Sequence, residues 1–154
     1  MKNIERIVRQ INQIYYLIYT GTILSTIIGY YITMNTVNSV NQKSEFAISL
    51  SSLIILYIII SIPASLALFH RNLKKWREID DLFLKGKKYI FGAQMRLFFV
   101  GFGVILSIIG HFILYVHTPN MSLIACAGIA AIGLFFCKPS VDRVVNELDI
   151  DIEE

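Results

Sequence analysis

The side chains in this sequence that could carry chemistry are few, and they stand apart. The histidines are His70, His111 and His117, and the cysteines are Cys126 and Cys137. His111 and His117 share one apolar run, whereas His70 follows an earlier run and belongs to the opposite membrane face. A haem held between helices needs histidines on two helices at matching depth. A zinc-type site needs further Cys, His or carboxylate partners, and none stands at the depth of His111 or His117. His111 remains a candidate functional polar residue, because ionisable groups inside membranes are often functional. The plainer reading is a neutral imidazole hydrogen-bonded to a neighbouring helix. Cys126 and Cys137 lie about 16 Å apart along one helical run, too far for an internal disulfide, and read as small apolar residues. The chain has no Gly-rich phosphate loop, no H-E-x-x-H and no G-x-S-x-G. No catalytic, metal-ligating or cofactor-binding residue is assigned, and an enzyme is not the favoured class.

The charged residues are grouped. Arg71, Lys74, Lys75, Arg77, Lys85, Lys87 and Lys88 surround Trp76, and a basic cluster beside a membrane span can bind anionic headgroups or a partner. The same residues could equally serve only to fix topology. Glu78, Asp80 and Asp81 interrupt the cluster and no recognition motif accompanies it, which argues against nucleic acid as a partner. The tail is acidic, with Asp142, Glu147, Asp149, Asp151, Glu153 and Glu154. It either docks against the basic segment or is solvated, exposed pairs contributing only about 0 to 1 kcal/mol.

A third pattern is made of small residues. Gly21, Ser25 and Gly29 recur every four positions, as do the pairs Gly103 with Ser107 and Cys126 with Ala130. Small side chains let helix backbones approach closely where no hydrophobic force drives association. They serve packing inside this chain's own bundle or a seam between copies.

These residues need elements to position them. Only 16% of the 154 residues are charged, against roughly 25% in soluble domains. Stretches 14–34, 46–69, 97–116 and 121–137 contain no Asp, Glu, Lys or Arg. A bilayer core about 30 Å thick takes roughly 17 to 25 helical residues, so all four qualify, the last near the lower limit. Without the alternation of a barrel strand, helices are the form that satisfies the backbone in lipid. The fold class expected is an all-α membrane protein, four transmembrane helices arranged as two antiparallel hairpins, in one domain. The loop 70–96 and the tail 138–154 would be cytoplasmic. The basic N-terminal flank and apolar run look like a signal peptide, but the run is longer than an h-region and no A-x-A-like site follows.

Orientation follows from the cations. Lys2, Arg6 and Arg9 precede the first run, the basic cluster and Arg96 separate the second from the third, and Lys138 and Arg143 follow the fourth. Lys43 alone falls on the other side, so both termini are expected in the cytoplasm of a bacterial-type inner membrane. Tyr15, Tyr16, Tyr19, Tyr30, Tyr31, Tyr89, Phe91 and Tyr115 fall near the expected interfaces. Thr118, Pro119 and Asn120 predict a tight turn, and Pro63 predicts a kink, with Ser61 or Ser65 serving the carbonyl it frees at Ile59. Three flanks look amphipathic: Ile4, Ile7, Val8, Ile11 and Ile14; then Leu73, Trp76, Ile79 and Phe83; then Val141, Val144, Val145, Leu148 and Ile152 behind Pro139.

The function expected is that of an interaction or accessory membrane protein, packing with itself or a larger membrane complex and contacting a cytoplasmic partner or anionic lipid. One rival is an oligomeric pore or carrier, holin-like or uncoupled, lined by Thr20, Thr22, Thr26, Ser61 and Ser65. The other is a membrane enzyme using His111 or His117. Charge-free spans disfavour ion-coupled transport. Four-helix multidrug exporters use a buried glutamate, and four-helix disulfide-forming oxidases use outer cysteine pairs. This chain has neither and is similar to them in helix number alone.

Overall fold

A computed structural model describes residues 2–36, 45–115 and 122–150. All regular structure among them is helical: α1 (Lys2–Thr36), α2 (Glu45–Arg77), α3 (Leu82–Tyr115), α4 (Ser122–Phe136) and α5 (Val141–Leu148). His117, Lys43, the Thr118–Asn120 turn, Ile152 and the acids at 151, 153 and 154 lie outside the described residues, as does the side chain of Tyr115.

The first three helices have 35, 33 and 34 residues, or about 50 Å each at 1.5 Å per residue. Each is long and apolar enough to cross a bilayer, and each overshoots the roughly 30 Å hydrocarbon core. α4 differs. Its 15 residues reach only about 22 Å, and it qualifies as a span only together with α5, from which it is bent by 77°. The protein thus has three long apolar helices that imply contact with lipid, and a fourth, broken candidate.

The helices do not form two hairpins side by side. α3 is the hub, packed against α1, α2 and α4, whereas α1 and α2 make no extended contact among the described residues. The reason lies in the stripes of α3. Gly86 receives Ile7 of α1, Gly101 receives Ile18 and Gly110 receives Ile54 of α2, with 2.5–2.8 Å between the nearest side-chain atom and the place a Cβ would take. A Cβ at any of the three would force its isoleucine to shift, most at Gly101, where the branched γ-methyl of Ile18 is the contact, so glycine lets α1 and α2 seat closely on different faces of one helix.

Segment 70–96, expected as a loop, is helical except around 78–81. Asp81 starts α3: its Oδ1 accepts from the Phe83 amide at 2.9 Å and its carbonyl accepts from the Lys85 amide at 2.9 Å, an N-cap in the usual geometry. α4 ends in a tightened turn, with the amides of Cys137 and Lys138 donating to Leu134 and Phe135. Ser140 then caps α5, accepting from the Arg143 amide at 3.2 Å, and Asp149 closes it in the left-handed region at φ 53°. α2 runs unbroken through Pro63. Neither serine serves the carbonyl of Ile59: Ser65 donates to Ile62 and the Ser61 hydroxyl is buried without a partner.

Two cores hold the assembly. The smaller joins Ala47, Ile54 and Ile58 of α2 to Leu114 of α3 and Leu123 of α4. The larger joins Ile4, Ile7, Ile11 and Tyr15 of α1, Phe69 and Leu73 of α2, Tyr89 and Leu97 of α3, and Val144 and Leu148 of α5. The amphipathic flanks at 4–14 and 141–148 thus face one another, and both described ends of the chain meet at one end of the bundle.

Candidate functional site

That shared end carries the polar chemistry. On α3, Lys85, Tyr89, Gly92 and Arg96 fall within one narrow stripe of the helix, and Trp76 of α2 lies against Gly92 where a Cβ would be. Phe69, Trp76 and Tyr89 form an edge-to-face triad with ring centroids 5.7 to 6.4 Å apart, a preferred arrangement of aromatic quadrupoles. The Tyr89 hydroxyl donates to Glu147 Oε2 at 2.6 Å, and Arg143 Nε donates to Glu147 Oε1 at 2.8 Å. Burial raises the Tyr89 phenol above its ordinary pKa, and its bond to Glu147 raises it further, so it remains a donor.

α5 is held from several directions. Arg77 Nε donates to the Glu147 carbonyl at 2.8 Å and its Nη2 to the Asn146 carbonyl at 3.4 Å, placing a cation where the helix C-terminus has unpaired acceptors. Arg143 also donates to the carbonyl of Phe136 at the end of α4. α5 therefore docks by the apolar stripe of Val144 and Leu148 and by its helix end. Among the described residues the one ion pair, Arg143 with Glu147, is internal to α5.

Arg96 is the least expected member. It is 5% exposed, its guanidinium sits 4.0 Å from the centre of the Phe69 ring, and its Nε has no hydrogen-bond partner. A cation over an aromatic face is stabilised by the ring quadrupole.

The basic cluster divides. Arg71, Lys74, Lys75, Arg77, Lys87 and Lys88 are exposed, whereas Lys85 is buried and Trp76 is half-buried in the aromatic triad. The small residues also separate by partner. Gly21 approaches Ile105 of α3 and Gly29 lies against the Phe112 ring; Gly103 faces Ile58 and Tyr57 of α2. Ser25 and Ser107 donate to carbonyls of their own helices. Ala130 is buried, and Cys126 borders the smaller core.

Several lateral grooves face outward. One of about 490 Å³ lies between α1 and α4 over α3, with His111 among its lining residues and Thr22 and Thr26 on its α1 side. Four of the five hydroxyls expected to line a pore are turned to their own backbones, Thr20, Thr22, Thr26 and Ser65 each donating three or four residues back, while that of Ser61 is buried. Another groove, about 310 Å³, lies between α1 and α3 at the charged end, lined by Arg6, Ile7, Gln10, Phe83, Gly86 and Lys87, among others. Among the described residues no group of three His, Cys, Asp or Glu side chains is placed to hold a metal.

The Tyr89–Glu147 bond spans 58 positions, and nothing in local spacing marks it. Arg96 had a signal, its phase on the stripe of Lys85 and Tyr89, which marks it as facing inward. Comparison of the chain with protein-family models, curated proteins and solved structures found no match.

Proposed function

We propose that the chain crosses the bilayer four times with both termini in the cytoplasm, and serves as a non-enzymatic interaction protein of a membrane assembly. Support for four crossings comes from the outward-facing side chains. Exposed apolar residues run from Tyr16 to Met34 on α1, Phe46 to Leu68 on α2, Phe91 to Ile113 on α3 (beyond Leu82 to Leu84, which the lysines separate from the belt) and Ile124 to Phe136 on α4. The first three belts cover about 28 to 34 Å, and the α4 belt about 20 Å. A short span is accommodated by local thinning or by association with other helices. Orientation rests on the charges: the exposed cations Arg6, Arg9, Arg71, Lys74, Lys75, Arg77, Lys87, Lys88 and Lys138 share the end where α5 packs, and the positive-inside rule makes that end cytoplasmic.

One observation carries the interaction reading. The overshooting ends of α1, α2 and α3 and the docked α5 share one closed core, so this end is a preformed folded platform with its cations outside. A rigid charged platform suits recognition, because little ordering entropy remains to be lost on binding.

Two measurements test the reading. A C-terminal fusion to an enzyme active only outside the cytoplasm should be silent, and activity would overturn the topology. Purification in mild detergent should yield a particle containing protein beyond one 17.6 kDa chain. Replacing Arg71, Lys74 and Lys75 with glutamine should release a peripheral partner. A lone chain in every mild detergent would end the interaction reading.

A further inference from the structure

We infer that the seam between α1 and α3 at the charged end binds one anionic phospholipid, its phosphate between Arg6 and Lys87; the inference rests on the topology proposed above. The groove there has room for a small ligand, about 310 Å³, at the lower end of the usual range for such sites (~300–1,000 Å³). Its charged lining residues are Arg6 and Lys87, both cations and both exposed. α3 itself carries no acid, and Asp81, just before it, is engaged in capping the helix through the Phe83 amide.

Above the groove, toward the bilayer, the surface changes polarity in the order a lipid does, while Leu82 and Phe83 line the groove below its cations. Arg6, Gln10 and Leu17 lie along one edge of α1, and Lys87, Gln94 and Phe98 along the facing edge of α3, by helical phase. Leu17 is 72% exposed and Phe98 58%, the outward apolar surface that an acyl chain needs. Gln10 is about 10 Å below Leu17 along the helix, and Arg6 about 6 Å further. A cationic pair, a carboxamide level and an apolar wall thus succeed one another from cytoplasm to bilayer. The floor is apolar and tight, since Ile7 fills the space beside Gly86. An acidic peptide would satisfy Arg6 and Lys87 but would have no use for the apolar continuation, whereas the cytoplasmic leaflet presents phosphate and acyl chain together.

The test uses the full chain in nanodiscs of equal phosphatidylglycerol and phosphatidylcholine, with retained lipid identified by native mass spectrometry. The wild type should keep one phosphatidylglycerol in preference. Arg6→Gln with Lys87→Gln should cut that preference by about thirtyfold, about fivefold for each cation. Arg9→Gln with Lys138→Gln, equal in charge removed and outside the groove, should leave it intact. Equal retention of the two lipids by the wild type would overturn the proposal, as would equal loss in both double variants. Displacement by glycerol 3-phosphate in solution would also overturn it, since the chain-binding wall would then contribute nothing. The reporter fusion separates the two levels: a silent reporter without lipid preference removes the site alone, and an active one removes the topology beneath it.

Discussion

The bond from Tyr89 to Glu147 should decide whether α5 stays docked, and the cost of breaking it can be worked from the geometry. Tyr89 is 2% exposed and donates at 2.6 Å to a carboxylate that Arg143 also holds at 2.8 Å. A hydrogen bond to a charged group contributes about 1.5 to 3 kcal/mol. Tyr89→Phe should fall at the low end, because Glu147 keeps Arg143 and some water, its side chain being 18% exposed. About 1.5 kcal/mol corresponds to roughly a tenfold rise in the opening of α5. Glu147→Ala should cost more, about 3 kcal/mol, because it leaves a buried phenol without an acceptor and takes the partner of Arg143 Nε. Cys137, 1% exposed and in one core with Val144 and Leu148, reports the opening. Labelling by a water-soluble maleimide, in a Cys126→Ser background, follows the open population when closing is faster than modification. Tyr89→Phe should raise the rate about tenfold and Glu147→Ala about 150-fold. In the Glu147→Ala background the added Tyr89→Phe should slow labelling, because it removes the orphaned donor. The reasoning is refuted if Tyr89→Phe changes the rate by less than twofold, or by the same factor in both backgrounds.

Two further outcomes concern packing. Gly92→Ala should destabilise the fold by about 1 to 3 kcal/mol, since its methyl would meet the Trp76 ring, whereas Gly128→Ala, with nothing within 4 Å, should be neutral or mildly stabilising. Denaturation in a graded SDS titration distinguishes the two, and equal shifts would contradict the packing. Arg96→Met should change stability by no more than about 1 kcal/mol in the same titration, because the lost attraction to Phe69 is offset by removing a buried, incompletely bonded charge. A loss above about 3 kcal/mol would show that the guanidinium belongs to a closed network instead.

How much was legible beforehand differs by kind of information. The three long helices were legible because lipid imposes a crude requirement, unbroken apolar runs, that composition alone meets. The amphipathic flanks were legible because Ile4, Ile7 and Ile11, or Val144 and Leu148, repeat at helical spacing. Which helix packs on which was not. The glycines of α3 that seat α1 and α2 look alike in sequence, and adjacency along the chain made α1 and α2 the natural pair. The platform was hidden for a related reason: charge was read as loop. Lys85, Lys87, Lys88 and Arg96 lie on a continuous helix, and their positions around it, more than their number, decide what each does.

Arg96 shows what that distinction implies for placing the bilayer. A window that counts charges along the chain starts the third span after residue 96, giving about 30 Å to residue 116. Lipid meets only the outward face. On that face Phe91, Met95 and Phe98 are exposed, while Arg96 points at Phe69 inside the bundle. A buried cation held by an aromatic ring does not have to reach the headgroups as a lipid-facing one does. The apolar belt of α3 can therefore begin near residue 91, one and a half turns lower. That brings Tyr89, Glu147 and the Arg6–Lys87 groove up to the boundary between hydrocarbon and headgroup, where a membrane protein can read the charge of the leaflet that holds it.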